Sequence, residues 1–111
     1  MWIFLKDAFF SITRSQKPEN LLLIRARFRG DIEKSFPEAD VSEYSGTDYR
    51  YRALISNEML LEALHLKLQE IDYSSFSGSI ESSDNLRRDT YNNVLQALRN
   101  SQTFSKMIEE V

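Results

Sequence analysis

Cysteine is absent from the chain, which excludes disulfides, thiolate metal sites and cysteine nucleophiles. His65 is the only histidine, so imidazole-based metal clusters and paired-histidine mechanisms are excluded as well. Glycine occurs only at positions 30, 46 and 78, too scattered for a phosphate-cradling loop. The serines lack a G-x-S-x-G context, and no D-x-D spacing points to a magnesium site. No stretch approaches the roughly 18 to 20 consecutive apolar residues of a membrane helix. The opening "MWIFLKDAFFSITRS" is apolar, but it has no basic start, and Lys6 and Asp7 interrupt it before any cleavage site. It therefore reads as mature structure rather than as a signal peptide, and the expectation is a soluble, cytoplasmic protein with no metal and no cofactor.

Positive charge is also scarce. The formal net charge is −3. Residues 1–56 carry nine Lys/Arg against eight Asp/Glu, and residues 57–111 carry five against nine. Neither half has the basic excess of a dedicated phosphate-binding domain. With 41% hydrophobic and 28% charged residues, the balance is that of an ordinary globular protein. At 111 residues it is read as one domain, 1–111, with 101–111 as a candidate amphipathic C-terminal tail.

Strands dominate the first half. From Ala8 to Arg14, Phe10 and Ile12 alternate with Phe9, Ser11 and Thr13, the period of a half-buried strand. "SQKPEN" supplies a turn, and Leu21 to Arg29 then places Leu22, Ile24, Ala26 and Phe28 on one face. The opposite face takes Leu21, Leu23, Arg25, Arg27 and Arg29. Asp31 is expected to cap a short helix through Phe36, ended by Pro37. Val41–Tyr44 and Tyr49–Ile55 form a second hairpin around Gly46. From Asn57 to Ile71 the period becomes helical, with Leu60, Leu61, Leu64, Leu68 and Ile71 as its stripe. The connection "DYSSFSGSIESSDN" holds six serines for capping and turns, pinned by Tyr73, Phe76 and Ile80. A last helix begins near Asp84 with the stripe Tyr91, Val94, Leu95 and Leu98. After "NSQT" the stripe slips to Phe104, Met107, Ile108 and Val111, so either the helix bends there or the last eleven residues form a separate tail.

This order predicts an α+β fold: a four-stranded antiparallel sheet with helices packed on one face. Its core is a ferredoxin-like β-α-β-β-α, with an N-terminal strand and a C-terminal helix added. A hairpin turning around Pro18 sets Ser11 opposite Arg25, Thr13 opposite Leu23 and Ile12 opposite Ile24. On the far side Leu54 approaches Leu23, and Glu43 reaches Arg50. Tyr49 and Tyr51 point with Ala53 and Ile55 toward the helices. The open face then carries Arg25, Arg27, Arg29, Arg50 and Arg52 at one end, the candidate anion- or partner-binding residues. Leu21, Leu23 and Leu54 lie at the other end and, with Phe104, Met107 and Ile108, are the candidate interface, because exposed apolar patches mark contact surfaces.

The arginine ladder has three readings. It is a solvated strand face with cross-strand charge pairs, a self-associating interface, or a surface for nucleic acid or another polyanion. Few stacking aromatics, interrupting carboxylates and the negative net charge weigh against the last. The reading is a small non-enzymatic interaction module that self-associates through the Arg/Leu face, with polyanion binding through the strand arginines as the alternative. No residue is assigned a catalytic role.

"MWIFLKDAFFSI", "IRARFRGDIEKSFP", "DYRYRA" and "IDYSSF" together give the chain its individual character. In these segments it resembles a family of small bacterial proteins sharing an opening Met-Trp, a Phe-Phe-Ser strand, an Arg-Ala-Arg strand, an Asp-Tyr-Arg-Tyr-Arg-Ala strand and an Ile-Asp-Tyr-x-x-Phe connection. The resemblance covers about residues 1–99. Members of that kind often have Lys where this chain has Ser77. It implies no particular activity and no functional residues, and residues 101–111 lie beyond it.

Overall fold

The computed structural model describes residues 1–110. The chain divides into two compact units, one from Met1 to Asp72 and one beginning at Tyr73. The first unit contains β1 (Trp2–Leu5), β2 (Ala8–Arg14), β3 (Leu22–Ala26), α1 (Asp31–Ser35), β4 (Ser42–Glu43), β5 (Tyr51–Ile55) and α2 (Asn57–Gln69). Its strands make one antiparallel sheet in the order β1-β2-β3-β5-β4. The class is α+β as expected, but the sheet has five strands rather than four.

The additional strand is β1. Trp2, Ile3, Phe4 and Leu5 are all apolar, so the segment shows no alternation that would reveal a strand with two different faces. In the sheet it does have two faces. Ile3 and Leu5 pack against the core, whereas Trp2 and Phe4 pair with Ser11 and Phe9 on the other side. Lys6 and Asp7, which interrupt the apolar opening, form the two-residue connection between Leu5 and its partner Ala8.

The core lies between one sheet face and the two helices of this unit. Ala8, Phe10 and Ile12 of β2, Ile24 and Ala26 of β3, and Tyr51, Ala53 and Ile55 of β5 meet Ile32 and Phe36 from the α1 segment and Ala63 of α2. The rings of Phe10 and Phe36 cross at 5.7 Å in an edge-to-face contact. The expected register holds where β2 and β3 pair: Ser11 faces Arg25, Ile12 faces Ile24 and Thr13 faces Leu23. Leu23 faces Leu54 across β3 and β5. A one-residue slip would turn every arginine inward, so this match fixes which side chains share the second face.

Two local readings change. Asp31 is not the cap of α1; Gly30 occupies that position with φ 88°, a left-handed conformation suited to glycine. Asp31 instead lies in the first turn, 1% exposed. Its Oδ2 accepts the backbone N–H of Phe9 at 3.1 Å, tying α1 to β2. On α2 only Ala63 is buried, with Met59 and Leu60 partly buried against the core, while Leu61 and Leu68, and Ile71 just past the helix, are exposed. Leu60, Leu61, Leu64 and Leu68 do share one side of this helix, but the core takes only the edge of that side at Leu60, with Met59 and Ala63 beside it. The sheet is met by the small side of the helix, at Ala63.

The second unit holds α3 (Phe76–Ser79) and α4 (Asn85–Glu109). Its serines do cap: Ser75 Oγ accepts the N–H of Gly78 at 3.2 Å. Phe76 stacks on Tyr91 at 5.8 Å with 14° between the rings. Asp84 caps α4 by accepting the Arg87 N–H. Arg88 donates to the carbonyls of Ile80, Glu81 and Ser82, folding the connection onto the helix start. Residues 101–109 continue α4, and Val111, the last residue of the expected stripe, lies outside the described residues. Ser101 and Thr103 satisfy their hydroxyls on the carbonyls of Ala97 and Arg99, so these polar residues do not break the helix. Among the described residues no helix is long and apolar enough to cross a membrane.

Candidate interaction surface

The second face of the sheet is organised in cross-strand rows. One row crosses all five strands as Trp2, Ser11, Arg25, Arg52 and Ser42. A parallel row, two residues along, holds Thr13, Leu23 and Leu54. On the other side of the central row, Phe4 pairs with Phe9. Phe9 contacts both neighbouring aromatics, Phe4 at 4.5 Å and Trp2 at 6.1 Å between ring centroids. Trp2 is 69% exposed and Leu54 43% exposed, while Leu23 and Leu21 are half-buried. Leu21 immediately precedes β3.

The five predicted arginines belong to this face or its end, and the chain treats them differently. Arg27 grips Asp48 through Nη1–Oδ1 at 2.7 Å and Nη2–Oδ2 at 3.4 Å, and also donates to the Asp48 carbonyl at 3.1 Å. Arg29 and Arg50 share the Glu43 carboxylate, at 3.2 and 3.1 Å. The expected approach of Glu43 to Arg50 is thus present, with Arg29 as a third member. Arg25 and Arg52 make their hydrogen bonds to neutral groups, although the Arg25 charge also acts on Asp48. Arg25 donates to Ser11 Oγ at 3.3 Å, and Arg52 Nε donates to the Tyr49 carbonyl at 3.2 Å.

Tyr49 differs from its expected place. It is 6% exposed, yet it lies outside the core cluster. Its ring sits against the guanidinium groups of Arg25 and Arg27, at 4.6 and 4.1 Å. The alternation that assigns it to the helices holds only from Tyr51, where β5 begins, because Arg50 is not in the strand. Tyr44, expected at the end of a hairpin strand but given no face by sequence, has its ring 5.1 Å from the Arg52 guanidinium. The aromatic surface was the least visible feature in sequence. Its signal, had β1 been read as a strand, was the shared parity of Trp2 and Phe4 opposite Ser11 and Phe9.

The Arg27 hydrogen bond, reinforced by its charge, holds the Asp48 carboxyl below the usual aspartate range, and Asp48 in turn raises Arg27. Because the folded-state value is depressed, any stabilisation from this pair is present above the ordinary aspartate pKa and is lost as pH falls through the lowered value. An NMR titration of the Asp48 carboxyl should give a midpoint below the ordinary aspartate value, rising toward that value in Arg27→Gln. An unshifted wild-type midpoint would show the pair to be absent in solution. The pair is solvent-exposed and screened by salt, so its role is to orient Arg27 rather than to stabilise the fold.

Phe104, Met107 and Ile108, the remaining candidate interface residues, are exposed along the end of α4 in the second unit. His65 is exposed on α2, with Gln69 at 3.3 Å. Among the described residues no three His, Asp or Glu side chains are grouped to hold a metal ion. Comparison of the chain with protein-family models, with curated proteins and with solved structures finds no match.

Proposed function

We propose that the protein is a non-catalytic interaction module that self-associates through the second face of its sheet. The observation that carries the proposal is the apolar surface on that face. Leu23 and Leu54 lie on one side of the arginine row, Phe4 and Phe9 on the other, and Trp2 stands at the β1 end of the row itself. Residues of these kinds, aromatic, arginine and aliphatic, characterise interface cores. The internal pairing of Arg27, Arg29 and Arg50 with Asp48 and Glu43 supports the same reading. Arginines already held by carboxylates have less to offer a phosphate backbone, and this weakens the alternative of nucleic-acid or other polyanion binding.

A ferredoxin-like ancestry for the core is part of the proposal. It is supported by α1 lying between β3 and β4, by β5 inserted between those two strands, and by α2 following β5. The N-terminal β2 stands beside β3 where such a sandwich has its last strand. A chain without cysteine suits a reducing, cytoplasmic setting, and membership of the bacterial family that it resembles fits a role carried by a surface rather than by catalytic groups.

Sedimentation velocity across micromolar concentrations tests the interface. The wild-type chain is expected to shift toward twice the monomer mass with concentration, and Leu23→Glu to remain monomeric with its melting temperature unchanged. A wild-type chain that stays strictly monomeric, with Leu23→Glu equally soluble and stable, would reject self-association.

A further inference from the structure

We infer that β1 pairs, antiparallel and in one register, with β1 of a second copy of this chain, joining two sheets along that edge. The contact lies at the rim of the sheet and goes beyond the face contact already proposed.

The sheet ends at β1 on one side and at β4 on the other, and its two edges are built differently. β4 has two residues, both exposed, and its Glu43 is held by Arg29 and Arg50. A short, charged strand of that kind discourages pairing. β1 has four residues, Trp-Ile-Phe-Leu, with neither a charge nor a proline, and β2 is its only neighbour in the sheet. An apolar edge strand without those devices is a template for another strand.

The polar groups of the β1 backbone alternate in direction. Met1 and Ile12 exchange both hydrogen bonds, the Met1 amino group donating to the Ile12 carbonyl at 2.9 Å and the Ile12 N–H to the Met1 carbonyl at 2.8 Å. In an antiparallel ladder such pairs alternate with pairs that exchange none. Ile3 and Leu5 therefore also turn toward β2, and Trp2 and Phe4 turn their N–H and C=O to the outer edge. Phe9, opposite Phe4, fits this alternation, since its N–H donates to Asp31 instead.

Trp2, Ile3 and Phe4 read aromatic, aliphatic, aromatic in either direction, and this self-complementarity selects a second copy as the partner. A two-fold axis through Ile3 sets Trp2 opposite the partner's Phe4, and Ile3 opposite the partner's Ile3. The outward-turned residues then form the hydrogen-bonded pairs. Aromatic meets aromatic on the second face, a stabilising cross-strand combination, while isoleucine meets isoleucine on the core face. An axis between two residues would oppose outward- to inward-turned backbone, and one through Phe4 would set Trp2 against Lys6, which lies in the connection beyond β1. Because the contact is the same patch on both copies, pairing closes at a dimer.

The chain has no cysteine, so a single introduced thiol reports this contact. Ile3 lies on the axis in a pair without hydrogen bonds, where facing Cα atoms stand about 4.5 Å apart, within disulfide reach. The two copies of Trp2 would be about 8 Å apart, beyond the limit of roughly 7 Å. Under mild oxidation Ile3→Cys is therefore expected to form the disulfide dimer about tenfold or more faster than Trp2→Cys, although Trp2 is the more exposed residue. Amide exchange of the wild type gives a second reading. Protection at Trp2 should rise with protein concentration more than at Ile3, which is bonded within the chain, and Trp2→Lys, which places a charge on the edge, should abolish the rise.

Equal or faster cross-linking of Trp2→Cys, or wild-type exchange at Trp2 that is independent of concentration, would overturn the inference. The exchange result decides alone if a cysteine variant does not fold. Edge and face contacts fail separately. Association that Leu23→Glu abolishes, with no concentration dependence at Trp2, keeps the face and removes the edge. Association that Trp2→Lys abolishes and Leu23→Glu leaves intact does the reverse.

Discussion

Phe10→Ala is expected to lower the unfolding free energy by about 3 to 5 kcal/mol, the range for truncating a fully buried aromatic. Phe10 is among the largest fully buried side chains, at 2% exposure, and it links the sheet to the α1 segment through Phe36. Its removal takes away apolar burial and leaves a cavity beneath a helix of only five residues. Against a total stability of about 5 to 15 kcal/mol, that loss is a large fraction. Trp2 is the only tryptophan and belongs to the first unit, so urea unfolding followed by its fluorescence reports on this sheet specifically. The midpoint should fall sharply in Phe10→Ala with little change of slope. Phe9→Ala, one residue away on the opposite face, should lose less. Equal losses from the two variants would contradict the assignment of the faces.

Asp31→Ala should cost about 1.5 to 3 kcal/mol, the scale of a hydrogen bond to a charged group. Asp31 is almost fully buried, and its carboxylate accepts the Phe9 N–H, with Lys34 Nζ 3.8 Å away. Alanine leaves the Phe9 amide without this acceptor inside the structure. Asp31→Asn retains an acceptor oxygen and should lose less. Amide hydrogen exchange locates the effect: protection of Phe9 should fall more than that of Ile12 in the alanine variant. Uniform loss across β2 would show that Asp31 acts on the sheet as a whole and not through this bond.

What was legible in sequence followed physical contrast. β2 and β3 alternate apolar with polar residues over several positions, so their faces and mutual register could be read. The same contrast placed Leu23 beside Leu54 and Ser11 beside Arg25, which is most of the candidate surface. Where contrast disappears, reading fails. β1 is apolar on both faces, so the fifth strand could not be chosen locally, and on α2 the core takes Met59 and Ala63 beside Leu60 rather than the whole leucine stripe. Tyr49 was misassigned because alternation was extended past the beginning of β5, into a segment where Arg50 interrupts the pleat. Asp31 resembled a helix cap because aspartate commonly serves there; its actual acceptor role depends on Phe9, 22 residues earlier in the chain.

Glu43 has a consequence for how the sheet edge behaves in different media. It lies on β4, a strand of two residues that covers the outer edge of β5, and its carboxylate is shared by Arg29 and Arg50. So short a strand has little packing of its own, and the two ion pairs act as its latch. Salt screens such exposed pairs. High ionic strength therefore loosens the flap that shields β5, and an uncovered strand edge is a template for pairing with another chain. The cover of this sheet edge is in this way tied to its ionic surroundings through a single glutamate.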